Sequence, residues 1–370
     1  MRSFMVLMLV LLTGCSGSRP PQHDEVAGTP AVSRRADELA HTVVTPHLDW
    51  PLGEGENVLW CATFQIAWNE LSSLAGGDIH MVNEDAAVRI LNWKAVTASD
   101  LDDTTYVAAA GIAGSGVVAR IRTDLARKFS GAASPKLLPD EASLVPGTAL
   151  AYAYLYVALP FQWAFKRHTG PLRFRDVPVE SFGISEYLIR QESKARAASQ
   201  VWVYDGPAPD EFVVELKTRM PKHRLLLACL PPRSSLGETV EAVQAWVAST
   251  QPRSLREGTW LAVPVLDFDV IRDYVELMGK PLDVPNRQLN GQFIGAARQD
   301  IRFRLDERGA VLKSEAELRT LGVGMNLSFN RPFLIMLQYD DTQVPYFALW
   351  IDNTELLVPF TPRPQLKGRR

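Results

Sequence analysis

The sequence predicts an α+β domain with more than one β-sheet. Short apolar runs with the character of β-strands dominate the second half of the chain, and helical patterns separate some of them. The two kinds of element do not alternate strictly, as they would in a parallel α/β sheet. The chain is therefore expected to fold into several sheets with helices around them.

The first predicted elements of this domain include both strands and helices. The run Asn57–Trp60 has strand character and leads into a helical pattern that continues to Leu74. A second helix is predicted over Asp85–Trp93. After an Ala-, Val- and Gly-rich stretch that begins at Thr104, the residues Val117–Phe129 show the spacing of an amphipathic helix.

The middle of the chain contains a loop and an apolar segment. Ser130–Pro146 has a loop-like composition, whereas Ala149–Leu159 is almost wholly apolar and aromatic. Such a run predicts a central strand buried on both faces. A buried helix is the alternative, because periodicity alone does not separate the two.

The second half is predicted to consist mainly of strands. Two helical patterns interrupt them, at Gly237–Ala248 and Val270–Leu277. The strands are predicted at Gln200–Tyr204, Glu211–Leu216, Arg224–Leu230, Trp260–Phe268, Asp300–Asp306, Phe333–Tyr339 and Pro345–Ile351.

The beginning of the chain has the pattern of an export signal. Met1 and Arg2 precede the apolar run Phe4–Leu12, which is too short to span a bilayer permanently. Leu12-Thr13-Gly14-Cys15 resembles the lipobox of bacterial lipoproteins, where cleavage precedes a cysteine that is then acylated. The resemblance implies a signal peptide over 1–14 and a lipid anchor at Cys15. An ordinary signal peptide with a chance cysteine is the alternative.

The residues after the anchor predict a flexible stalk over 15–36, since they are rich in Ser, Pro, Gly and charge and lack apolar periodicity. Ser16, rather than an aspartate, follows the cysteine. By analogy with lipoproteins, the expected location is the outer membrane or the cell surface.

Composition and motifs argue against several classes of function. The formal net charge is −3 and the basic residues are scattered, so no nucleic-acid partner is expected. The six histidines have no metal-ligand spacing, so no metal is expected. Gly111–Gly116 lacks the dinucleotide fingerprint and no Gly-x-Ser-x-Gly motif is present, so neither a cofactor nor an enzyme is predicted.

Two cysteines remain once Cys15 is acylated. Cys61 and Cys229 both lie in apolar runs, where buried free thiols behave as small hydrophobic groups. A disulfide between them is the alternative in an oxidising compartment.

Several segments resemble, in order along the chain, those of the serpins, a family of protease inhibitors and related proteins. Asp306-Glu307-Arg308-Gly309 resembles the hinge after the central strand, and Phe329–Met336 resembles the segment that follows the reactive loop. Weaker similarities are found at Asn57–Trp60, Phe161–Phe165, Glu211–Leu216, Leu225–Pro231, Leu261–Pro264, Tyr274–Gly279 and Tyr346–Ile351.

The resemblance implies a serpin-like domain over 37–362, followed by a basic tail over 363–370. Its expected fold has a mixed main sheet, smaller sheets and surrounding helices. The chain between Tyr106 and Ala153 is shorter than in the family, which implies that the helix covering the main sheet is missing. The polar latch beneath the sheet is also expected to be largely missing, because Cys61–Phe64 and Gln299 replace the family's residues.

The segment after the hinge carries two opposed signals. The hinge set, Glu307, Gly309, Ala310, Leu312 and Ser314, places mostly small residues on one face of a potential strand. Ser314 and Glu317, however, have the spacing of a capping box, and Gly322 suits a helix end. The candidates for the scissile position are Arg319, Leu321, Gly322 and Val323.

Two functions remain open at this point. In one, the loop is bait for an extracellular or periplasmic serine or cysteine protease. In the other, the domain is a non-inhibitory scaffold or ligand carrier. A more distant alternative is an α+β lipoprotein unrelated to the serpins. The expected state is a monomer.

Overall fold

The computed structural model describes residues 32–129, 135–145, 148–185, 191–309, 326–340 and 342–362. The α-helices in these ranges are α1 Thr63–Ala75, α2 Ala86–Asn92, α3 Val117–Phe129, α4 Glu192–Ser199 and α5 Leu236–Ser249. The strands are β1 Ser33–Arg35, β2 Thr42–Thr45, β3 Asn57–Cys61, β4 His80–Met81, β5 Tyr106–Ile112, β6 Ala149–Leu155, β7 Lys166–Arg167, β8 Leu172–Phe174, β9 Val177–Val179, β10 Ser181–Ile184, β11 Val201–Asp205, β12 Phe212–Leu216, β13 His223–Cys229, β14 Arg253–Ser254, β15 Trp260–Pro264, β16 Leu266–Asp273, β17 Leu282–Asp283, β18 Arg298–Leu305, β19 Asn326–Ser328, β20 Phe333–Tyr339 and β21 Phe347–Ile351.

The largest sheet has eight strands in the order β14-β11-β12-β13-β20-β21-β3-β2. Its neighbours are antiparallel except for the parallel pair β2 and β3. Strands β3, β12 and β21 are buried along their whole length, which explains why the sequence shows continuous apolar runs rather than alternation. The α+β class with a mixed main sheet and smaller sheets is therefore confirmed.

A second, four-stranded sheet has the order β19-β15-β10-β7. Two smaller groups of strands matter most for the site described below. One is the antiparallel ribbon of β5 and β6, and the other is the three-stranded group β1-β16-β18. The β5–β6 ribbon and the β1-β16-β18 group both pack on α1.

The β5–β6 ribbon is sandwiched between two helices. On one face, side chains such as Ala108 and Ala153 pack against the main core on the α1 side. On the other face, Val107 and Tyr152 pack with the buried side of α3. The chain turns closely from β5 into α3 at Gly111, where an added Cβ would lie 2.8 Å from the Cβ of Val117.

The connection from α3 back to β6 crosses the outer face of these strands, and we call its described residues, 135–145, the strap. It contains a short 3-10 turn, Glu141–Ser143, and no α-helix. Lys136 binds side chains of β1, β16 and β18, whereas Asp140 and Glu141 bind α3 and the turn before it. The described residues of this connection contain no covering helix, as predicted, but the strap crosses the β5–β6 ribbon and the β1-β16-β18 group, so their outer face is not bare.

Two predictions about elements between residues 260 and 277 are wrong. Val270–Leu277 is not a helix: β16 continues to Asp273 and a 3-10 turn, Val275–Leu277, follows it. Pairing with β18 along all of β16 outweighs the local helical pattern. The predicted strand Trp260–Phe268 is divided between β15 and β16, which lie in different sheets.

The apolar segment at β6 is a strand, as predicted, but not one buried on both faces. Tyr152 is its only buried residue among Ala149–Leu155, and the others are half-buried. Strand β6 has a described neighbouring strand on one edge alone, and the other edge lacks a described partner strand.

The predicted stalk needs a correction at its end. Ser33–Arg35 forms β1, in parallel register with Asp269–Ile271 of β16, and a 3-10 turn follows over Ala36–Glu38. The ordered domain therefore begins before residue 37. Backbone pairing with β16 orders a segment that its polar composition alone predicts to be flexible.

Cys61 and Cys229 are free thiols, and both are buried. Burial raises the pKa of each thiol. Both cysteines act as small apolar groups of the main core, on β3 and β13, which two strands separate in the large sheet.

Within the described ranges, no helix combines the length and the apolar character that crossing a membrane would require.

Candidate functional site

A gap separates β6 from β18. Strand β6 pairs with β5 and strand β18 pairs with β16, and no described ladder joins β6 to β18. Both strands lie on α1. Burial is the largest cause that raises the pKa of Tyr152 on β6, and Tyr154 is the second. The charge of Asp300 on β18 is the third, so the two strands lie within electrostatic reach of each other. Strands β6 and β18 therefore each have one edge without a partner strand among the described residues.

The order of hydrogen bonds along β6 shows which amides face the gap. Tyr156 donates its amide to the carbonyl of Thr105 at 2.9 Å, next to the register pair Tyr106 and Leu155. Since antiparallel pairs alternate, the amides of Tyr152 and Tyr154 point to β5. The amides of Ala151 and Ala153 therefore point into the gap, where an added strand would find hydrogen-bonding partners.

Residues 306–309, which the sequence predicts to be the hinge, form a turn at one end of this gap, and we call it the hinge turn. Asp306 and Gly309 exchange backbone hydrogen bonds at 3.0 and 3.2 Å, which makes residues 306–309 a tight turn. Gly309 has φ +124°, and an added Cβ would lie 2.4 Å from the carbonyl oxygen of Leu159. Only glycine fits this close approach without strain.

The hinge turn is docked on the segment that follows β6. Phe161 donates its amide to the Arg308 carbonyl at 2.8 Å, and Phe165 donates to the Glu307 carbonyl at 2.6 Å. Pro160 and Gly309 form an isolated bridge. The hinge thus joins the strand groups on either side of the gap at their common end.

A buried charge network fixes the Glu307 side chain. Arg167 Nε donates to Glu307 Oε2 at 2.7 Å, and its Nη1 contacts Glu180 Oε2. The Glu307 side chain is only 5% exposed. Because its other oxygen is buried without a partner, Arg167 is the residue that compensates this carboxylate.

Aromatic packing supports the docked segment. The ring centroids of Phe161 and Phe165 lie 4.9 Å apart, and those of Phe165 and Phe182 of β10 lie 6.0 Å apart. Gln200 accepts from the Trp163 amide at 3.1 Å and donates to the Trp163 carbonyl at 2.5 Å. The segment 160–165 is therefore a firm surface for the hinge.

A polar latch lies under β18, contrary to the expectation that it is largely missing. The amide of Gln299 donates to the Cys61 carbonyl at 3.0 Å and to Thr63 Oγ1 at 2.8 Å. Its carbonyl accepts from the Tyr274 hydroxyl at 2.7 Å. Glutamine and threonine thus tie β18 to the start of α1.

The structure places only part of the predicted site. Glu307 and Gly309 lie in the hinge turn. The remaining predicted residues lie outside the described ranges: Cys15, Ala310, Leu312, Ser314, Arg319, Leu321, Gly322 and Val323.

Two residues of the site, Arg167 and Lys136, were not predicted, and a third, Gln299, was named only as a replacement at the latch position. Arg167, Gln299 and Lys136 are brought to it by tertiary contacts over long sequence separations. Arg167 and Lys136 carry no local signal that would identify their partners.

The described residues contain no group of three or more His, Cys, Asp or Glu side chains arranged to hold a metal ion.

Comparisons with known proteins give similarity at the level of structure. No family model matches the sequence, and no curated protein matches it. Among solved structures, a highly specific serpin of the insect Tenebrio molitor shares 11% identity at a TM-score of 0.45, over 80% of this chain and 91% of the other. A serpin from the trematode Schistosoma haematobium shares 11% identity at a TM-score of 0.43, over 81% of this chain and 94% of the other.

Human thyroxine-binding globulin is also among the similar structures. It shares 14% identity at a TM-score of 0.38, over 65% of this chain. This chain spans 64% of the length of that protein, which is less than two thirds.

Proposed function

We propose that this chain is a membrane-tethered, serpin-like protein in which the segment after Gly309 is an exposed bait loop for a serine or cysteine protease. The observation that carries the proposal is the unpaired gap between β6 and β18, with the hinge turn docked at its end. A loop that leaves the sheet at Gly309 starts beside the acceptor edges into which its first residues would insert after cleavage.

The physical basis of such inhibition is strand addition. An inserted strand forms backbone hydrogen bonds with both edges of the gap and buries alternate side chains. The amides of Ala151 and Ala153 would gain partners on the β6 edge. The hydrogen bonds between Gln299, Thr63 and Tyr274 hold β18 on α1, so that the second edge is a firm template.

The experiment is incubation with trypsin-like and chymotrypsin-like proteases, followed by a denaturing gel and a melting curve of the cleaved protein. The proposal predicts a denaturant-stable complex and a large rise in Tm after cleavage. Two matched variants test the insertion face. Ser314→Arg would bury a charge in the inserted strand and should abolish the complex, whereas Glu315→Arg, on the opposite face of that strand, should leave it intact.

A second candidate is a non-inhibitory scaffold or ligand carrier with the same fold. The Ser314 to Glu317 capping box favours it, because a helical loop opposes conversion to a strand. It predicts cleavage between about Arg319 and Val323 without a complex and with nearly unchanged Tm. That result would overturn the inhibitory proposal.

The tether is proposed from the lipobox. With Cys15 acylated, the protein would be anchored at the outer membrane or the cell surface, where an extracellular or periplasmic protease would meet it as a monomer. No enzymatic activity, cofactor or nucleic-acid partner is part of the proposal.

A further inference from the structure

Two tryptophans near the hinge end of the domain lie at the surface, each beside a cation. Trp163 and Trp202 are both 38% exposed, so two large apolar rings face solvent. The Arg196 guanidinium lies 5.0 Å from the Trp163 ring centroid, and the Lys217 ammonium lies 4.0 Å from that of Trp202. An exposed pair of this kind contributes only about 0.5–1 kcal/mol, so stability alone does not account for the exposure of both rings.

The two pairs belong to one continuous surface. The Gln200 side chain bonds to both backbone groups of Trp163, and the Gln200 carbonyl accepts the Lys217 amide at 2.8 Å. Trp202 follows Gln200 by two residues, at the start of β11. The turn between β12 and β13 extends the surface with the exposed side chain of Met220. We call this surface the tryptophan face, and it consists of Trp163, Arg196, Trp202 and residues 217–222.

The β12–β13 turn brings positive charge to the tryptophan face. The segment from Lys217 to Arg224 contains four cationic residues and no acidic one. Among the ion pairs of the described residues, those of this segment involve Lys217 and Arg224, which share the buried Glu215 carboxylate. Arg219 and Lys222 are exposed to solvent. Two cations of the turn are therefore open to an outside partner.

Carboxylates offset only part of this charge. Glu215 is buried between its two partners, and Glu192 pairs with Arg196 on α4. Asp340 is exposed, and its amide donates to the Lys222 carbonyl at 2.6 Å. Five cationic side chains, Arg196 included, thus meet three carboxylates. The positive charge that remains is complementary to an anionic surface.

The tryptophan face is attached to the hinge turn. Phe165, two residues after Trp163, donates its amide to the Glu307 carbonyl at 2.6 Å. Arg219 donates its amide to the Pro160 carbonyl at 2.8 Å, and Pro160 itself bridges to the hinge turn. Both segments that carry the face thus lie at the hinge end of the domain.

The chain joins the domain at the same end. Leu266, the first residue of β16, lies opposite Leu305, directly before the hinge turn. Strand β1 runs parallel to β16 and starts opposite Asp269. Val32, the first described residue, therefore lies on the hinge side of β1, and residues 16–31 connect it to Cys15. The tether thus starts from the end that carries the tryptophan face.

We propose that the tryptophan face binds the surface of the membrane that holds the lipid anchor, an inference that rests on the proposed tether. Tryptophan favours the boundary between lipid headgroups and acyl chains, because its ring is apolar while its N–H keeps a polar partner. The cations beside the rings bind lipid phosphate groups, and each contributes about 1 kcal/mol near an anionic surface. The tether keeps the face at a high local concentration, so weak contacts are enough to orient the domain.

The opposite end of the domain supplies control positions. The 3-10 turn Val275–Leu277 follows the end of β16 that is farther from the hinge, and the eight residues of β16 separate the two ends by about 26 Å. Leu277 shares a core cluster with Leu91 of α2. Trp93, directly after α2, is an exposed tryptophan of this far end.

The test uses the full-length protein on vesicles of phosphatidylethanolamine and phosphatidylglycerol whose acyl chains carry bromine near the headgroup. Bromine quenches the emission of a tryptophan that enters the membrane, and all nine tryptophans lie between Trp50 and Trp350, outside the anchor segment. The wild type should be quenched, and the double variant Trp163→Phe/Trp202→Phe should lose at least about half of this quenching. Trp93→Phe is the matched control and should keep it.

The cations are tested on the same vesicles. Arg219→Ser/Lys222→Ser should weaken the quenching, and added salt should weaken it in the wild type, because both reduce the attraction to anionic lipid. Lys280→Ser/Arg287→Ser removes two cations that follow the far turn in the chain and should leave the quenching unchanged. The salt measurement needs no variant, so it decides even where a variant does not fold.

Three results would overturn the membrane contact. They are a wild-type protein that stays on the vesicles without being quenched, quenching that Trp93→Phe removes in place of the double variant, and quenching that salt does not change. The first result would assign the face to an acidic macromolecule instead. Fractionation of Cys15→Ser and complex formation on the gel report separately on the tether and the bait loop, so their failure can be told from failure of the face.

Discussion

At the residue scale, a few side chains decide how the hinge and its surroundings are held. Gly309 permits an approach to the Leu159 carbonyl that no Cβ would allow, and Arg167 compensates the buried Glu307 carboxylate. Gln299 acts as a polar anchor under β18. Each of these residues acts through a contact with a distant part of the chain, so its role depends on a specific geometry and not on its type alone.

Substitution of Gly309 should disturb the docked hinge. Gly309→Ala places a methyl group against backbone atoms at a positive φ, so we expect the free energy of unfolding to fall by about 1–3 kcal/mol. Gly170→Ala is the control, since a Cβ there meets nothing within 4 Å. Denaturant unfolding measures both variants, and equal stability of the two would show that the hinge is not docked as described.

His168 should make the fold sensitive to acid. Burial lowers its pKa to about 4, its Nε2 is buried without a partner, and its ring lies 5.0 Å from that of Trp260. Because the folded-state pKa lies below the unfolded value, its contribution to stability is present above pH 6.5 and is lost as the pH falls towards 4.

The variant His168→Phe keeps an aromatic ring beside Trp260 but cannot take up a proton. Unfolding at pH 7 and pH 5 should therefore show a smaller loss of stability on acidification in the variant than in the wild type. An identical loss in both proteins would mean that His168 is protonated as easily in the folded chain as in the unfolded one.

At the element scale, the β5–β6 ribbon and the strap are the elements that lie beside the gap. The ribbon is packed on both faces but paired on one edge of β6 only. The strap replaces a covering helix with a chain segment held at its two ends. A segment attached in this way can move by breaking few contacts, which a packed helix cannot.

The free edge of β6 predicts an alternating exchange pattern. Residue-resolved amide exchange should be slow at Tyr152 and Tyr154, which bond to β5, and at least about tenfold faster at Ala151 and Ala153. Val107 and Ala109 on β5 lie opposite Tyr154 and Tyr152 and serve as internal references. Uniformly slow exchange along β6 would mean that another strand already fills the gap.

At the scale of the whole molecule, the lipid anchor would fix where the domain works. Only 16 residues separate Cys15 from Val32, the first described residue, so the tether reaches about 50–60 Å when fully extended. A bait loop on such a tether would meet proteases close to the membrane.

The anchor itself is tested by Cys15→Ser. Without the thiol no acylation occurs, so the protein should leave the membrane fraction or accumulate unprocessed. Separation of membrane and soluble fractions, with detection of the domain in each, measures this release. Ser18→Ala is a control that leaves the lipobox intact. Normal processing with unchanged membrane retention of Cys15→Ser would disprove the anchor.

The sequence by itself determined the α+β class, most of the strand positions, the helix α5 and the hinge with its glycine. These features follow from local patterns: apolar runs mark buried strands, and Ser235 caps α5 by accepting from the Glu238 amide. The α+β class, these strands and α5 are confirmed, whereas the hinge role of residues 306–309, the anchor and the bait loop stay predictions, because Cys15 and residues 310–325 lie outside the described ranges.

Only the tertiary structure decided the rest. Residues 270–273 carry a helical pattern but become strand because β18 pairs with them, and residues 33–35 join a sheet because β16 offers an edge. The latch at Gln299, the Arg167 network and the contact between Lys136 and Asp269 join residues more than 100 positions apart in the chain. Local propensity contains no information about such partners, since their energies arise from burial and charge compensation that exist only once the chain has folded.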